Sequence, residues 1–227
     1  MLRTSPATSD APAIAVPPQL ARGLLPRAAA VLAVIARPGQ ESAGLGALLY
    51  AFGKAGARLA LLSLTRGEAS PLNATVERLE TRRPWELQVA AGLIGISSVA
   101  VADYPDGALA RSPAEELAEL VGREIRRQAA DLVVIIDPLG DADDAAVARA
   151  ACAAAAVAGV PIVARTILGS GTGRQISLGA GSGDARAWQR SAVAAHASQA
   201  DALPEVERDL ERLGDGEMLR WPQAAAS

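Results

Sequence analysis

The sequence predicts a single-domain, Rossmann-like three-layer α/β fold with a mainly parallel sheet, and three observations predict it. Short apolar runs alternate with helix-like segments through the whole middle of the chain. One run, Leu132 to Ile136, contains no polar residue, as expected of a strand covered on both faces. A chain of 227 residues, half of them hydrophobic, can bury one sizeable core.

Taken in order, Ala29 to Ile35 is a Val- and Leu-rich strand, Pro38-Gly39 a loop, and Ser42 to Ala55 a helix closed by Gly56. Arg58 to Leu64 is a second strand that ends at Thr65-Arg66-Gly67-Glu68. Trp85 to Ile94 has helical spacing and Val99 to Ala102 is a brief strand. Pro113 to Gln128 is an amphipathic helix with Leu117, Leu120, Val121 and Ile125 on one face. After Leu132 to Ile136 comes a loop bearing Asp137, Asp141, Asp143 and Asp144, then an Ala-rich helix to about Ala158. Gly159 and Pro161 introduce the strand Ile162 to Arg165. Gly169 to Gly173 and Gly179 to Gly183 bracket a polar strand, Arg174 to Leu178, and two helices, Asp184 to Ala200 and Pro204 to Leu213, close the chain. Residues 1–22, interrupted by Arg3, Asp10 and prolines, read as a flexible tail, 23–222 as the domain, and 223–227 as a C-terminal tail. In such a fold a site is expected beyond the carboxyl ends of the strands.

A formal charge of −3, with Arg and Asp/Glu interspersed, argues against nucleic acid as a partner. No apolar run reaches the ~20 residues that a spanning helix needs, so no membrane partner is expected. Cys152 is the lone cysteine, which excludes an intrachain disulfide and a cysteine-ligated metal and fits a reducing cytoplasm. The preference for Arg over Lys and the abundance of Ala suggest a GC-rich bacterial genome and carry no functional weight.

The run Val31 to Gly46, VLAVIARPGQESAGLG, places Pro38, Glu41, Gly44 and Gly46 after a hydrophobic strand. Thr65-Arg66-Gly67-Glu68, Arg83 with Glu86-Leu87, Ala90-Ala91 and Gly95, then Tyr104-Pro105-Asp106-Gly107 follow in order. Ala195-His196-Ala197-Ser198-Gln199, Leu213-Gly214 and Glu217 to Trp221 complete the series. In layout and order these segments resemble the PIG-L/LmbE family of zinc-dependent N-deacetylases, over nearly all of the chain after residue 28. The resemblance implies an LmbE-like fold and a zinc site built from a Pro-His-Pro-Asp-Asp-Glu motif and a His-Pro-Asp-His motif.

At the positions where the resemblance implies a metal-binding His, a general-base Asp and a metal-binding Asp, the sequence has Arg37, Gly39 and Gln40. The second motif aligns with Asp141-Ala142-Asp143-Asp144. Catalytic zinc needs three neutral-nitrogen or anionic ligands and an open position for water. A guanidinium has only donors and repels a dication, an amide oxygen is a weak ligand for zinc, and glycine takes no proton. No cofactor is therefore expected. The expected function is that of a pseudoenzyme, a non-hydrolytic small-molecule binder or an accessory protein. The alternative is a deacetylase-like hydrolase of N-acyl amino sugars or related amides with a rebuilt centre, in which His196 and Asp143 would be catalytic.

Arg37, Gln40, Arg66, Tyr104, Asp141 and Asp144 are the candidate ligand-binding residues, for a small polar or anionic ligand. Each has a plainer reading. The Asp141–Asp144 cluster could hold a hard cation, but acidic residues at a helix start ordinarily cap it, and capping is preferred. For His196 the plainer role is packing on an Ala-rich helix, for Arg66 and Glu68 a local ion pair, and for Asp106, which could contact ligand together with Tyr104, turn chemistry in Pro105-Asp106-Gly107. Gly44 and Gly46 are expected to let their helix approach the sheet. Arg37 is expected to stand in for the metal electrostatically, close to Asp141 or Asp144. Self-association and a purely structural role in an oligomer stay open.

Overall fold

The structure, a computed structural model, describes residues 24–72, 78–138, 140–166, 173–178, 182–213 and 216–222. The expected tails, 1–22 and 223–227, and the glycines at 169, 171, 179 and 181 lie outside the described residues. Seven strands form one sheet in the order β3-β2-β1-β4-β5-β7-β6: β1 (Ala30–Ile35), β2 (Arg58–Thr65), β3 (Ser98–Tyr104), β4 (Leu132–Ile136), β5 (Ile162–Thr166), β6 (Arg174–Ser177) and β7 (Gly216–Arg220). The first five are parallel; β7 runs antiparallel to both β5 and β6. Chain order reverses beside β1, whose neighbours are β2 and β4, and this opens a crevice at their carboxyl ends.

Successive strand residues point to opposite faces and build two separate cores. Val31, Ala33, Ile35, Leu59 and Leu61 pack under α2 (Gly46–Lys54), α3 (Leu79–Ile94) and α6 (Ser182–Ala194), through Leu48, Phe52, Leu87, Ala91 and Ala192. Leu32, Val34, Ala60, Leu62 and Leu64 pack under α4 (Ala114–Gln128) and α5 (Ala142–Ala158). The apolar face expected of α4 is the buried one: Leu117, Val121 and Ile125 are in this core, with Leu120 packed at its margin. The α5 contribution is Ala146, Val147, Ala150, Ala151, Ala154 and Ala155, small side chains that let α4 and α5 lie close together. No helix among the described residues is long and apolar enough to cross a membrane.

Four elements differ from the sequence reading. The first helix is split into α1 (Gln40–Ala43) and α2, the break falling at Leu45, whose φ of −123° and ψ of −8° leave the helical region, next to Gly44, where a Cβ would collide with Ile136 at the tip of β4. Gly46 is also at a close approach, but its neighbour is Gln189 of α6 and not the sheet. Helix α3 starts at Leu79, six residues before the expected Trp85, and carries Pro84 internally. The carbonyl of Glu80, which Pro84 cannot serve, accepts from Arg66 Nη1 at 3.5 Å. Helix α6 stops at Ala194, and a 3₁₀ segment, Ala197–Ala202, leads into α7 (Leu203–Leu213). Ser198 is taken out of the helical path by Glu86, which accepts from its N–H at 2.9 Å and its hydroxyl at 2.6 Å. Finally, the chain closes on β7 and not on a helix.

Strand β7 carries the buried Glu217, held between Arg165 of β5 at 3.0 Å and Arg186 of α6 at 2.7 Å. Beside it Arg220 pairs with Asp137 at the end of β4. Removing one member of a buried charge set leaves the others desolvated without compensation. Glu217→Ala should therefore lower unfolding free energy by about 3 to 5 kcal/mol in urea titrations; a loss below about 1 kcal/mol would mean that water reaches the arginines.

Candidate functional site

Two loops at the carboxyl edge are fixed to each other by one buried arginine. Arg83 of α3 donates from Nη2 to the Pro38 carbonyl at 2.5 Å, in the loop after β1, and from Nη1 to the Gly67 carbonyl in the loop after β2. Gly67 has φ 74°, and a Cβ there would run into the Arg83 guanidinium. Gly39 has φ 99°, which turns the chain sharply into α1.

The loop from β1 sends Arg37 among the acids of two other loops. Its Nε lies 3.0 Å from Asp106 Oδ1, Nη1 3.2 Å from Asp141 Oδ2, and Nη2 3.3 Å from Asp143 Oδ2. The Arg37 side chain is 26% exposed, Asp106 and Asp143 only 4% and 2%. Burial works against the guanidinium, yet the Asp106 and Asp141 charges hold its pKa above the usual arginine value. The expected approach to Asp141 is observed. Asp144 instead accepts from Gln40 Nε2 at 2.7 Å, while Gln40 Oε1 accepts the Ala36 and Arg37 amides at 2.9 and 3.2 Å.

The acidic loop caps its helix. Asp141 Oδ1 accepts the Asp143 and Asp144 amides at 2.8 and 3.0 Å. Burial would raise the Asp141 pKa, but these amides and Arg37 hold it below the usual aspartate range. Asp144 goes the other way, raised chiefly by burial and further by the charges of Asp141 and Asp143. Asp143 accepts the Gly107 and Leu109 amides at 2.7 and 2.9 Å, so both its oxygens anchor the loop after β3.

A second buried pair lies on the other side of the loop. His196 Nε2 is 2.6 Å from Glu41 Oε1, and Glu41 also accepts from Ser42 Oγ at 2.5 Å and the Gly39 amide at 2.8 Å. Burial would raise the Glu41 pKa; His196, Ser42 and the Gly39 amide together hold it below the usual glutamate value. The remaining ring nitrogen, His196 Nδ1, is buried with no hydrogen-bond partner among the described residues, as is Arg83 Nε.

Arg37, Gly39, Gln40, Arg83 and His196 line a cleft of about 200 Å³, completed by Leu72, Val193, Gln199, Leu203 and Val206. The structure thus brings Arg37, Gln40 and His196 to one cavity, with Asp141, Asp143 and Asp144 behind Arg37 and Gln40. Arg66 and Tyr104 are not among its lining residues. Arg66 pairs with the exposed Asp103 at 2.6 Å, and Tyr104 packs half-buried against the core under α4 and α5. Sequence reasoning offered Asp106 as either a ligand contact or a turn residue and missed Arg83 and Glu41 as site residues, although each of the three stands in a segment that carried the family resemblance.

Arg37→Ala should cost about 2 kcal/mol of stability, between the limits for exposed and buried pairs. Adding Asp106→Asn should recover part of it, since the amide keeps an acceptor and loses the charge; strict additivity in the double variant would deny the coupling. The Glu41–His196 pair predicts a pH dependence. A carboxylate with a depressed folded pKa adds stability above its unfolded pKa and loses it as pH falls through the folded value. Glu41→Gln should accordingly cost more at pH 7 than at pH 3 in parallel urea titrations, and an equal cost at both would refute an ionised Glu41.

No curated protein matches the chain in sequence. In structure it is similar to N,N'-diacetylchitobiose deacetylase from Pyrococcus horikoshii, at 19% identity over 87% of this chain and 85% of that one, with a TM-score of 0.72. The conserved protein TT1542 from Thermus thermophilus matches at 21% identity, over 87% and 96% of the chains, with a TM-score of 0.70. GalB, the 4-carboxy-2-hydroxymuconate hydratase from Pseudomonas putida KT2440, matches at 16% identity, over 87% and 98%, with a TM-score of 0.67. At these identities the likeness establishes the fold, which is the LmbE-like fold expected. The profile of the family described as PIG-L, GlcNAc-PI de-N-acetylase, matches residues 32–155, more than half of the chain, and the chain therefore belongs to the PIG-L family.

Proposed function

We propose that this chain is a non-hydrolytic member of its family that binds a small anionic molecule in the cleft beside β1. The observation that carries the proposal is the Arg37 guanidinium set within 3.0 to 3.3 Å of Asp106, Asp141 and Asp143. The zinc that the family resemblance implies does not fit these residues. Three acids already neutralise a fixed cation, Gln40 has both ends of its amide hydrogen-bonded, and a dication would meet Arg37 at close range. Among the described residues no group of three His, Cys, Asp or Glu is arranged to hold a metal ion.

The charge of Arg37 is committed to its carboxylates, which makes Arg83 the better seat for an anion. Among the described residues no carboxylate lies within ion-pair distance of Arg83, and burial lowers its pKa, the sign of a cation short of compensation. Arg83 lines the cleft and its Nε has no hydrogen-bond partner among the described residues, so a carboxylate or phosphate would supply the acceptor it lacks. The Glu41–His196 pair favours a second reading, a hydrolase of N-acyl amino sugars or related amides with a rebuilt centre, because a carboxylate-oriented imidazole is a general base in form. Deacetylases and a hydratase share this fold, so the fold does not choose between the two.

Protein purified without added metal should carry substoichiometric zinc and release no acetate from N-acetylglucosamine conjugates; stoichiometric zinc with acetate release would overturn the proposal. Small carboxylates should raise the melting temperature of the wild type and fail to do so in Val206→Trp, which fills the cleft. Equal shifts in both proteins would place the ligand elsewhere. Arg37→His with Gln40→Asp, Asp141→His and Asp144→His should regain zinc affinity if the backbone retains the family geometry. Gly39 is left unchanged because its φ of 99° strains any side chain.

A further inference from the structure

The lining of the cleft beside β1 has two unlike parts. Arg37, Gly39 and Gln40 come from the turn after β1 and the start of α1, Arg83 from α3 and His196 from the bend after α6. The apolar part comes from elsewhere: Val193 of α6, Leu203 and Val206 of α7, and Leu72 from the loop after β2. Leu72, Leu203 and Val206 keep part of their surface exposed, so apolar burial remains to be gained on this side. Among the described residues that line the cleft there is no Asp or Glu, and no Phe, Tyr or Trp.

An aliphatic wall offers no ring face on which a planar ring would stack, and it suits a flexible hydrocarbon. The charge left open is one. Arg37 faces Asp106, Asp141 and Asp143, and His196 is paired with Glu41. Arg83 engages the carbonyls of Gly67 and Pro38 through Nη1 and Nη2, but a carbonyl carries no net charge, and Nε has no hydrogen-bond partner among the described residues. A single guanidinium to balance matches a monoanion. A second anionic group on the same molecule would lie against aliphatic side chains with no donor to serve it. Size adds a limit, because about 200 Å³ is below the roughly 300 to 1,000 Å³ of pockets that enclose drug-sized ligands.

Given the cleft as an anion site, the reading on which this rests, we infer that its ligand is a short-chain aliphatic monocarboxylate, with the carboxylate on Arg83 and the hydrocarbon tail along Val193, Leu203 and Val206. Head and tail are both required. The guanidinium alone would admit inorganic phosphate, and the apolar wall alone would admit an uncharged chain of the same length. A molecule with one charge at one end and only methylenes beyond it meets both parts of the lining at once.

Isothermal titration calorimetry of the full chain with acetate, propanoate, butanoate, pentanoate and hexanoate, and with butanamide, succinate and inorganic phosphate, tests it. Affinity should rise about three- to four-fold with each added carbon, which is ~0.8 kcal/mol per buried methylene, until the tail outgrows the cleft. Butanamide has the length of butanoate without the charge, and succinate has it with a second charge; each should bind at least about ten-fold more weakly than butanoate. Leu203→Asn, at a half-exposed position, should flatten the rise with chain length and leave acetate binding as it is. If neither the acids nor phosphate bind the wild type, if they bind Val206→Trp equally, or if butanamide matches butanoate, the cleft is not an anion site and the underlying reading fails. If Val206→Trp abolishes binding but phosphate or succinate equals butanoate in the wild type, or affinity stays flat from acetate to hexanoate, the anion site stands and the aliphatic monocarboxylate is overturned.

Discussion

Too many carboxylates converge at the carboxyl ends of β1, β3 and β4 to be left without a cation, and Arg37 is the cation that the chain supplies. Asp106 arrives from the turn after β3, Asp141 and Asp143 from the start of α5, and all three close on one guanidinium. The rest of the edge follows from this. Asp143 can anchor the loop after β3, because its charge is balanced by Arg37 while its oxygens accept the Gly107 and Leu109 amides. Asp141 can cap α5 for the same reason. Gln40, with no charge to satisfy, is free to bridge its own loop to Asp144.

Around that centre the loops are held by side chains that bind backbone. Arg83 takes the carbonyls of Pro38 and Gly67, Glu86 takes the amide of Ser198, and Gln189 donates to the carbonyls of Ser42 and Ala43 at 2.9 and 3.1 Å. Two of the three come from α3 and one from α6, helices that pack against each other over the same face of the sheet. The cleft is therefore framed by rigid helices, although its lining comes largely from loops.

Much of the scaffold was legible because local pattern and burial agree. The run Leu132 to Ile136 is a strand because it is covered on both faces, and the face of α4 was readable from its spacing. What escaped was decided at long range. Nothing in Gly-Glu-Met-Leu-Arg marks β7 as a strand, since Glu217 is burial-competent only with Arg165 and Arg186 beside it. The Ala-rich run through His196 has helical propensity, and its break depends on Glu86, over a hundred residues earlier. At the site, motif order placed Arg37 opposite Asp141, but the reach of Asp106 depends on a turn whose local chemistry already accounted for its sequence. The buried roles of Arg83 and Glu41 rest on backbone carbonyls and an imidazole that no spacing rule specifies.

Strand β6 has a consequence for the edge of the sheet. It is the last strand of the sheet among the described residues, and a sheet border is where foreign strands add and amyloid-like growth begins. It is four residues long, and Arg174, Gln175 and Ser177 are exposed with only Ile176 turned to the core. So short and polar a border offers an incoming strand little apolar surface and a charge to desolvate. Aggregation by edge addition is disfavoured there by the shortness and polarity of the strand itself.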